Sequence, residues 1–199
     1  MYPFLHNLPR QISFPYEFWD DVRKIHELTK KDGLERAISL FWADGELIVT
    51  SVVTGDEGSV KSNHSVNVKY IHHPTRKDYL RKEVFLDGKV LKRKDVYYKK
   101  VPKKVSVEYL FNMHTHPPHV GNDGVSRYSF FSAQDIRSLL ASNAVVTGLV
   151  SDKVWLLVRS SESPSSADIT DQDVSVEYLK ERLKFGVYEA EFNKKAIRQ

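Results

Sequence analysis

The stretch FNMHTHPPHVGNDGVSRYSFFSAQDIRSLL, Phe111 to Leu140, decides how this chain is read. His114 and His116 stand one residue apart at the end of a run, Val105 to Met113, rich in β-branched and aromatic residues, which predicts a strand. Side chains two apart on a strand share a face, so both imidazoles project together. Pro117 and Pro118 cannot continue a central strand, which puts the histidines at its exit. Further on, Ser132-Ala133-Gln134-Asp135 has the form of a capping box, and Ser132 to Ser142 predicts a helix that buries Ile136, Leu139 and Leu140. Taken singly, a strand histidine is usually a satisfied polar residue, and Asp135 reads as the acidic partner of a Ser132 cap. Two imidazoles on one face, with a carboxylate at a nearby helix start, suit a divalent metal.

Outward from that stretch the pattern alternates between helix and strand. Pro15 to Lys31 spaces Phe18, Val22, Ile25 and Leu28 as a helix, with acids early, lysines late and Gly33 as its stop. Glu35 to Trp42 predicts a strand, Ala43-Asp44-Gly45-Glu46 a tight turn and Leu47 to Val53 its partner, followed by a loop from Thr54 to Gly58. Val66, Val68 and Tyr70 alternate with polar residues as in a strand with one wet face, and Val84 to Leu91 reads as a hairpin around Asp87-Gly88. Ala144 to Val150 and Val154 to Val158 form another hairpin across Ser151-Asp152-Lys153. Residues 160–170, opening on SSESPSS, read as a polar linker, and 171–197 as a long C-terminal helix. The hexapeptide VSVEYL occurs at Val105–Leu110 and at Val174–Leu179; flanking context makes the first a strand and the second helical. The expected architecture is one domain over 1–199 with its core at 16–159: an α/β fold whose mixed, largely antiparallel sheet is flanked by helices.

Composition narrows the chemistry. The 199 residues are 41% hydrophobic and 28% charged, ordinary for a globular chain, and no apolar run approaches the ~18 residues of a membrane span. MYPFLHNLPR lacks the apolar core of a signal peptide, so a cytoplasmic protein is expected. Cysteine is absent, which excludes a thiol nucleophile and every Cys-ligated zinc site, including that of the nucleobase deaminases. The net charge of +4 is uneven: residues 76–104 carry twelve Lys/Arg against four Asp/Glu, a local +8 that leaves −4 for the rest. That segment is expected to form a docking surface for an acidic partner, with a merely solvated hairpin as the bland alternative. Nucleic acid is not expected, since only Tyr79, Phe85, Tyr97 and Tyr98 interleave with the cations and no reader motif is present.

The arrangement His114-x-His116-Pro117, a loop, then Ser132-x-x-Asp135 resembles the motif of the JAMM (JAB1/MPN/Mov34) metalloproteases, which include zinc-dependent deubiquitinases and their prokaryotic relatives. The resemblance covers Tyr16 to Arg159; its one departure is a longer loop, fifteen residues from Pro117 to Phe131, between the second histidine and the serine. It implies a curved sheet between helices, the cytidine-deaminase-like JAB/MPN fold, and Zn2+ held by His114, His116 and Asp135. It also implies a general-base glutamate at the start of the first strand, where Glu35 stands, with Glu46 and Glu57 as rivals, and an oxyanion-stabilising role for Ser132. The activity implied is an isopeptidase that removes a ubiquitin-like protein, Glu35 activating a water at the zinc. The alternatives are a peptidase trimming a sulfur-carrier protein's C-terminus and a non-catalytic scaffold or binding module. Of the other histidines, His72 and His73 read as a strand end and His119 as an exposed loop residue. Among the loop's apolar residues, Val120, Val125, Tyr128, Phe130 and Phe131, burial is expected of the two phenylalanines, a substrate-gripping lid being the sharper alternative.

Overall fold

In the computed structural model, residues 2–56, 59–61, 64–118 and 129–199 are described. Glu57, His119, Val120, Val125 and Tyr128 lie outside them. The chain runs β1 (Gln11–Ile12), α1 (Tyr16–Asp32), β2 (Arg36–Ala43), β3 (Glu46–Val49), β4 (Val53–Thr54), β5 (Val66–His72), β6 (Tyr79–Leu86) and β7 (Lys89–Tyr97). It continues through β8 (Val107–Thr115), α2 (Ala133–Ala141), β9 (Val146–Val150), β10 (Val154–Val158), α3 (Val176–Glu181), β11 (Gly186–Ala190) and β12 (Ala196–Arg198). Nine strands form one curled sheet in the order β1-β12-β11-β10-β9-β8-β2-β3, with β4 also paired to β2, while β5-β6-β7 form a second, smaller sheet. The fold is mixed α/β and mostly antiparallel, as expected; among the paired strands only β8 and β9 run parallel, bridged through α2.

The helix and turn chemistry follows the sequence closely. Pro15 lies in extended backbone just before α1, and Gly33 ends the helix in the left-handed region at φ 74°, its N–H reaching the Thr29 carbonyl at 2.8 Å. Asp44-Gly45 and Asp87-Gly88 all have positive φ, the geometry that closes two-residue hairpins. Ser175, in the second VSVEYL, caps α3 by accepting from the Tyr178 N–H, whereas the first copy enters β8 at Val107.

The sheet divides two apolar layers. Phe18, Trp19, Val22 and Ile25 of α1 pack with Ile38, Leu40, Phe111 and Met113 on one face. Ile136, Leu139 and Leu140 of α2 pack with Leu149, Leu157, Val187 and Leu179 on the other, and the buried Phe131 and half-buried Phe130 join them. The small sheet packs Val66, Val84 and Leu86 against Phe41, Ala43 and Ile48.

The C-terminal third departs from expectation. Residues 171–197 hold only the six-residue α3; Gly186–Ala190 and Ala196–Arg198 are strands that extend the main sheet, and β1 pairs with β12 at its edge. At Gly186 a Cβ would lie 2.5 Å from Leu8 Cδ1 and force that side chain to shift, and Val187 and Tyr188 fill the two sheet faces. Pairing with β10 makes Gly186–Ala190 a strand and overrides the expected helix there. Nor is 160–170 a loose linker: Ser160 is buried, donates to the Lys184 carbonyl at 2.7 Å, and is followed by the buried Ile169.

Candidate metal centre

Alternation along β8 sorts its last residues between the two layers. Met113 and Thr115 face α1, where the Thr115 and Thr29 hydroxyls meet at 2.6 Å. The Arg36 N–H also donates to Thr115 Oγ1, at 2.9 Å, so the exit of β8 is tied to both α1 and β2. His114 and His116 therefore face α2, and both are buried. The strand runs two residues beyond its expected end, so His114 lies within the ladder, opposite Ala37 on β2 and Leu149 on β9.

Across from them α2 begins with the expected capping box. Ser132 Oγ accepts from the Asp135 N–H at 3.2 Å, and the Ser132 N–H donates to Asp135 Oδ2 at 2.8 Å. The Ser132 hydroxyl also donates to Oδ2, at 2.8 Å, so serine and cap hold the carboxylate in one orientation. That orientation aims it at the histidines: Asp135 Oδ1 lies 3.1 Å from His114 Nε2, Oδ2 lies 3.1 Å from His116 Nε2, and the two Nε2 atoms are 3.2 Å apart. Burial opposes the charge on Asp135, but the two imidazoles outweigh it and hold the carboxyl well below the usual range.

These separations suit a cation. Ligand atoms ~2.0–2.1 Å from a tetrahedral ion are about 3.3 Å from one another, close to the spacing of these three donors. Hydrogen bonding alone serves the trio less well, because two imidazoles that both donate to Asp135 bring their Nε2–H groups face to face. Among the described residues this is the one group of His, Asp and Glu donors that converges in this way, and it could hold a metal ion.

Glu35 joins the same site from the third side. It immediately precedes β2, its N–H donates to the Asp56 carbonyl at 2.8 Å and its carbonyl accepts from Gly55 at 2.9 Å. With Arg36 turned to Asp32 of α1, alternation leaves Glu35 on the α2 face with Ala37 and His114. It is 7% exposed, and burial raises its carboxyl above the ordinary value against the opposing pull of His116 and His114. Glu35, His114, His116, Ser132 and Asp135 all line one cleft of about 680 Å³, which continues along β8 past Asn112 to Tyr109 and along α2 to Ser142.

Glu46, a rival for the base, is elsewhere, bound to Lys82 at 3.0 Å and Lys92 at 2.9 Å at the far end of β2. His73 accepts the Arg76 N–H and pairs with Asp95, a strand-end role as expected. Sequence reasoning missed the supports: Thr115 with Thr29, and Gly55, where a Cβ would lie 2.0 Å from the Ser59 carbonyl. The signal for Thr115 was present, since the residue between two same-face histidines must point into the opposite layer. No family model, no curated protein and no solved structure matches this chain.

Proposed function

We propose that the chain is a zinc metallopeptidase of the JAMM type, an isopeptidase that releases a ubiquitin-like protein from conjugates. The observation that carries the reading is the convergence of the His114, His116 and Asp135 donors beside a buried Glu35 that is not among them. Zinc in that position supplies Lewis-acid chemistry, polarising a carbonyl and acidifying a water. Glu35, buried on the cleft wall and outside the donor trio, is placed to take the proton from the attacking water and deliver it to the leaving amine. Ser132 holds Asp135 in the resting protein, and its hydroxyl turns to the carbonyl oxygen as charge develops there. The cleft's length along β8 suits an extended tail more than a folded surface, which favours a flexible C-terminal segment as substrate. The fold that goes with this reading is the deaminase-like JAB/MPN arrangement.

The test is cleavage of ubiquitin-like conjugates and of C-terminal extensions of a sulfur-carrier protein, with and without a chelator. Chelator-sensitive cleavage of conjugates is the expected result. Cleavage of extensions alone moves the substrate to the carrier class, and no cleavage of either with zinc bound leaves a binding module.

A further inference from the structure

The small sheet buries one face and leaves the other open. Its inner face carries Val66, Val84 and Leu86 on the core and Lys82 against Glu46. Lys92 and Lys94 of β7 lie on this inner side too, and both turn toward Glu46. By alternation the outer face presents Lys69 and Ile71 of β5, Tyr79, Arg81 and Glu83 of β6, and Arg93, Asp95 and Tyr97 of β7, with Arg93 paired to Glu83 at 2.9 Å. The +8 segment is therefore not one uniform cationic hairpin.

At one end of this open face aromatic and cationic groups concentrate. Tyr79 and Tyr97 are cross-strand partners with ring centroids 5.7 Å apart, and Tyr98 follows at 5.4 Å from Tyr97. Tyr98 is 47% exposed. The guanidinium of Arg76 sits 5.4 Å over the Tyr79 ring. Arg76 and Arg81 flank Asp95 at 3.5 and 3.7 Å, with His73 on the same carboxylate at 3.1 Å, so one acid gathers both guanidiniums at this end of the sheet. Lys77, Lys99 and Lys100 are exposed around them. The backbone is ordered too: the Tyr79 N–H donates to the Arg76 carbonyl, and the Tyr98 N–H to Asp78.

We propose that, against the expectation from composition, this end of the small sheet binds single-stranded nucleic acid, because the fold gathers the tyrosines into one cluster where bases stack while phosphates contact Arg76, Arg81 and the neighbouring lysines. Charge complementarity alone would fit any polyanion. Three clustered tyrosines, one of them half-exposed, are what an acidic protein surface does not require and a strand of unpaired bases does. A charged edge strand that only resists sheet-to-sheet pairing would need lysines but no aromatic cluster beside them. The site is separate from the metal centre, because the small sheet packs at the Phe41–Ala43 end of β2 while Glu35 precedes its other end.

Fluorescence anisotropy on the full chain, with a labelled twelve-nucleotide oligothymidylate, the corresponding duplex and a polyglutamate competitor, tests this. The single strand should bind more tightly than the duplex, weaken as salt rises and resist polyglutamate. Tyr98→Ala, at an exposed position, should weaken single-strand binding about tenfold with an unchanged salt slope, and Tyr98→Phe should restore it. Lys99→Gln with Lys100→Gln should flatten the salt slope instead. Absence of single-strand binding at low salt overturns the proposal. So does Tyr98→Ala binding like the wild type, and so does polyglutamate competing on equal terms, which would assign the surface to an acidic protein.

Discussion

Replacing Ser132 with alanine separates what the capping box does for the helix from what it does for the site. The substitution deletes the acceptor of the Asp135 N–H and the hydroxyl that donates to Asp135 Oδ2, leaving the backbone N–H of residue 132 as the cap's one remaining bond to that oxygen, beside His116 Nε2. Loss of an N-cap costs about 1 kcal/mol. For a chain of this size each kcal/mol lowers the melting temperature by about 2–4 °C, which sets the expected shift without metal. The second effect is on the ligand, because a carboxylate released from its supporting bonds samples orientations that do not face His114 and His116. Loss of such support costs typically ~10–100-fold in metal affinity. Zinc affinity would be measured by competition with a chromophoric chelator, beside melts with and without zinc. Ser132→Thr keeps the hydroxyl and should recover most of both effects. If Ser132→Ala lowers the melt as expected but binds zinc as tightly as the wild type, Asp135 is not held for a metal, and the reasoning from cap to ligand fails.

Further outcomes concern Glu35, Glu46, Lys82 and Gly148. Glu35→Gln should keep zinc while losing at least ~10²-fold in turnover; Glu46→Gln should leave turnover intact but lower stability, because it strips a carboxylate from buried Lys82. For the metal-free protein, the raised Glu35 carboxyl penalises the folded state once pH climbs above the reference value of 4.5, so Glu35→Gln should melt higher than wild type at neutral pH, the gap closing below about pH 4.5. Lys82, only 4% exposed among Asp44, Glu46 and two backbone carbonyls, anchors the small sheet; Lys82→Met leaves those acceptors without their buried donor, although Glu46 keeps Lys92, and should cost ~1–3 kcal/mol in thermal or chemical unfolding. Gly148→Ala puts a Cβ 2.0 Å from Met113 Sδ and should destabilise by about 1–3 kcal/mol, with partial recovery when Met113 is shortened to Val.

Where local chemistry determines the outcome, residues announce it in advance. A period of two puts His114 and His116 on one face, Ser132 and Asp135 form the expected box, and the Asp-Gly pairs close their hairpins. Legibility ended where a partner far along the chain decides. Val187 and Tyr188 lie in a strand because β10 pairs with them, and nothing within residues 171–197 discloses that ladder. The same limit applies to the charge run at 76–104. Its sign was plain, but the division of Lys92 and Lys94 toward Glu46 and of Arg81 and Tyr97 to the open face depends on a register that only the paired sheet reveals. Glu35 lies between the two cases: its position before β2 is local, whereas its burial beside the histidines comes from the β2–β8 pairing.

In the proposed enzyme His114, His116 and Asp135 hold one zinc ion, with Glu35 beside it and outside its ligand set. Anomalous scattering across the zinc edge, on crystals of the metal-loaded protein, tests it most directly. A single zinc peak ~2.0–2.2 Å from His114 Nε2, His116 Nε2 and an Asp135 oxygen is the predicted result, with no such peak in His116→Ala crystals. No peak between these residues in zinc-loaded crystals, or an equally strong peak persisting in His116→Ala, would contradict it.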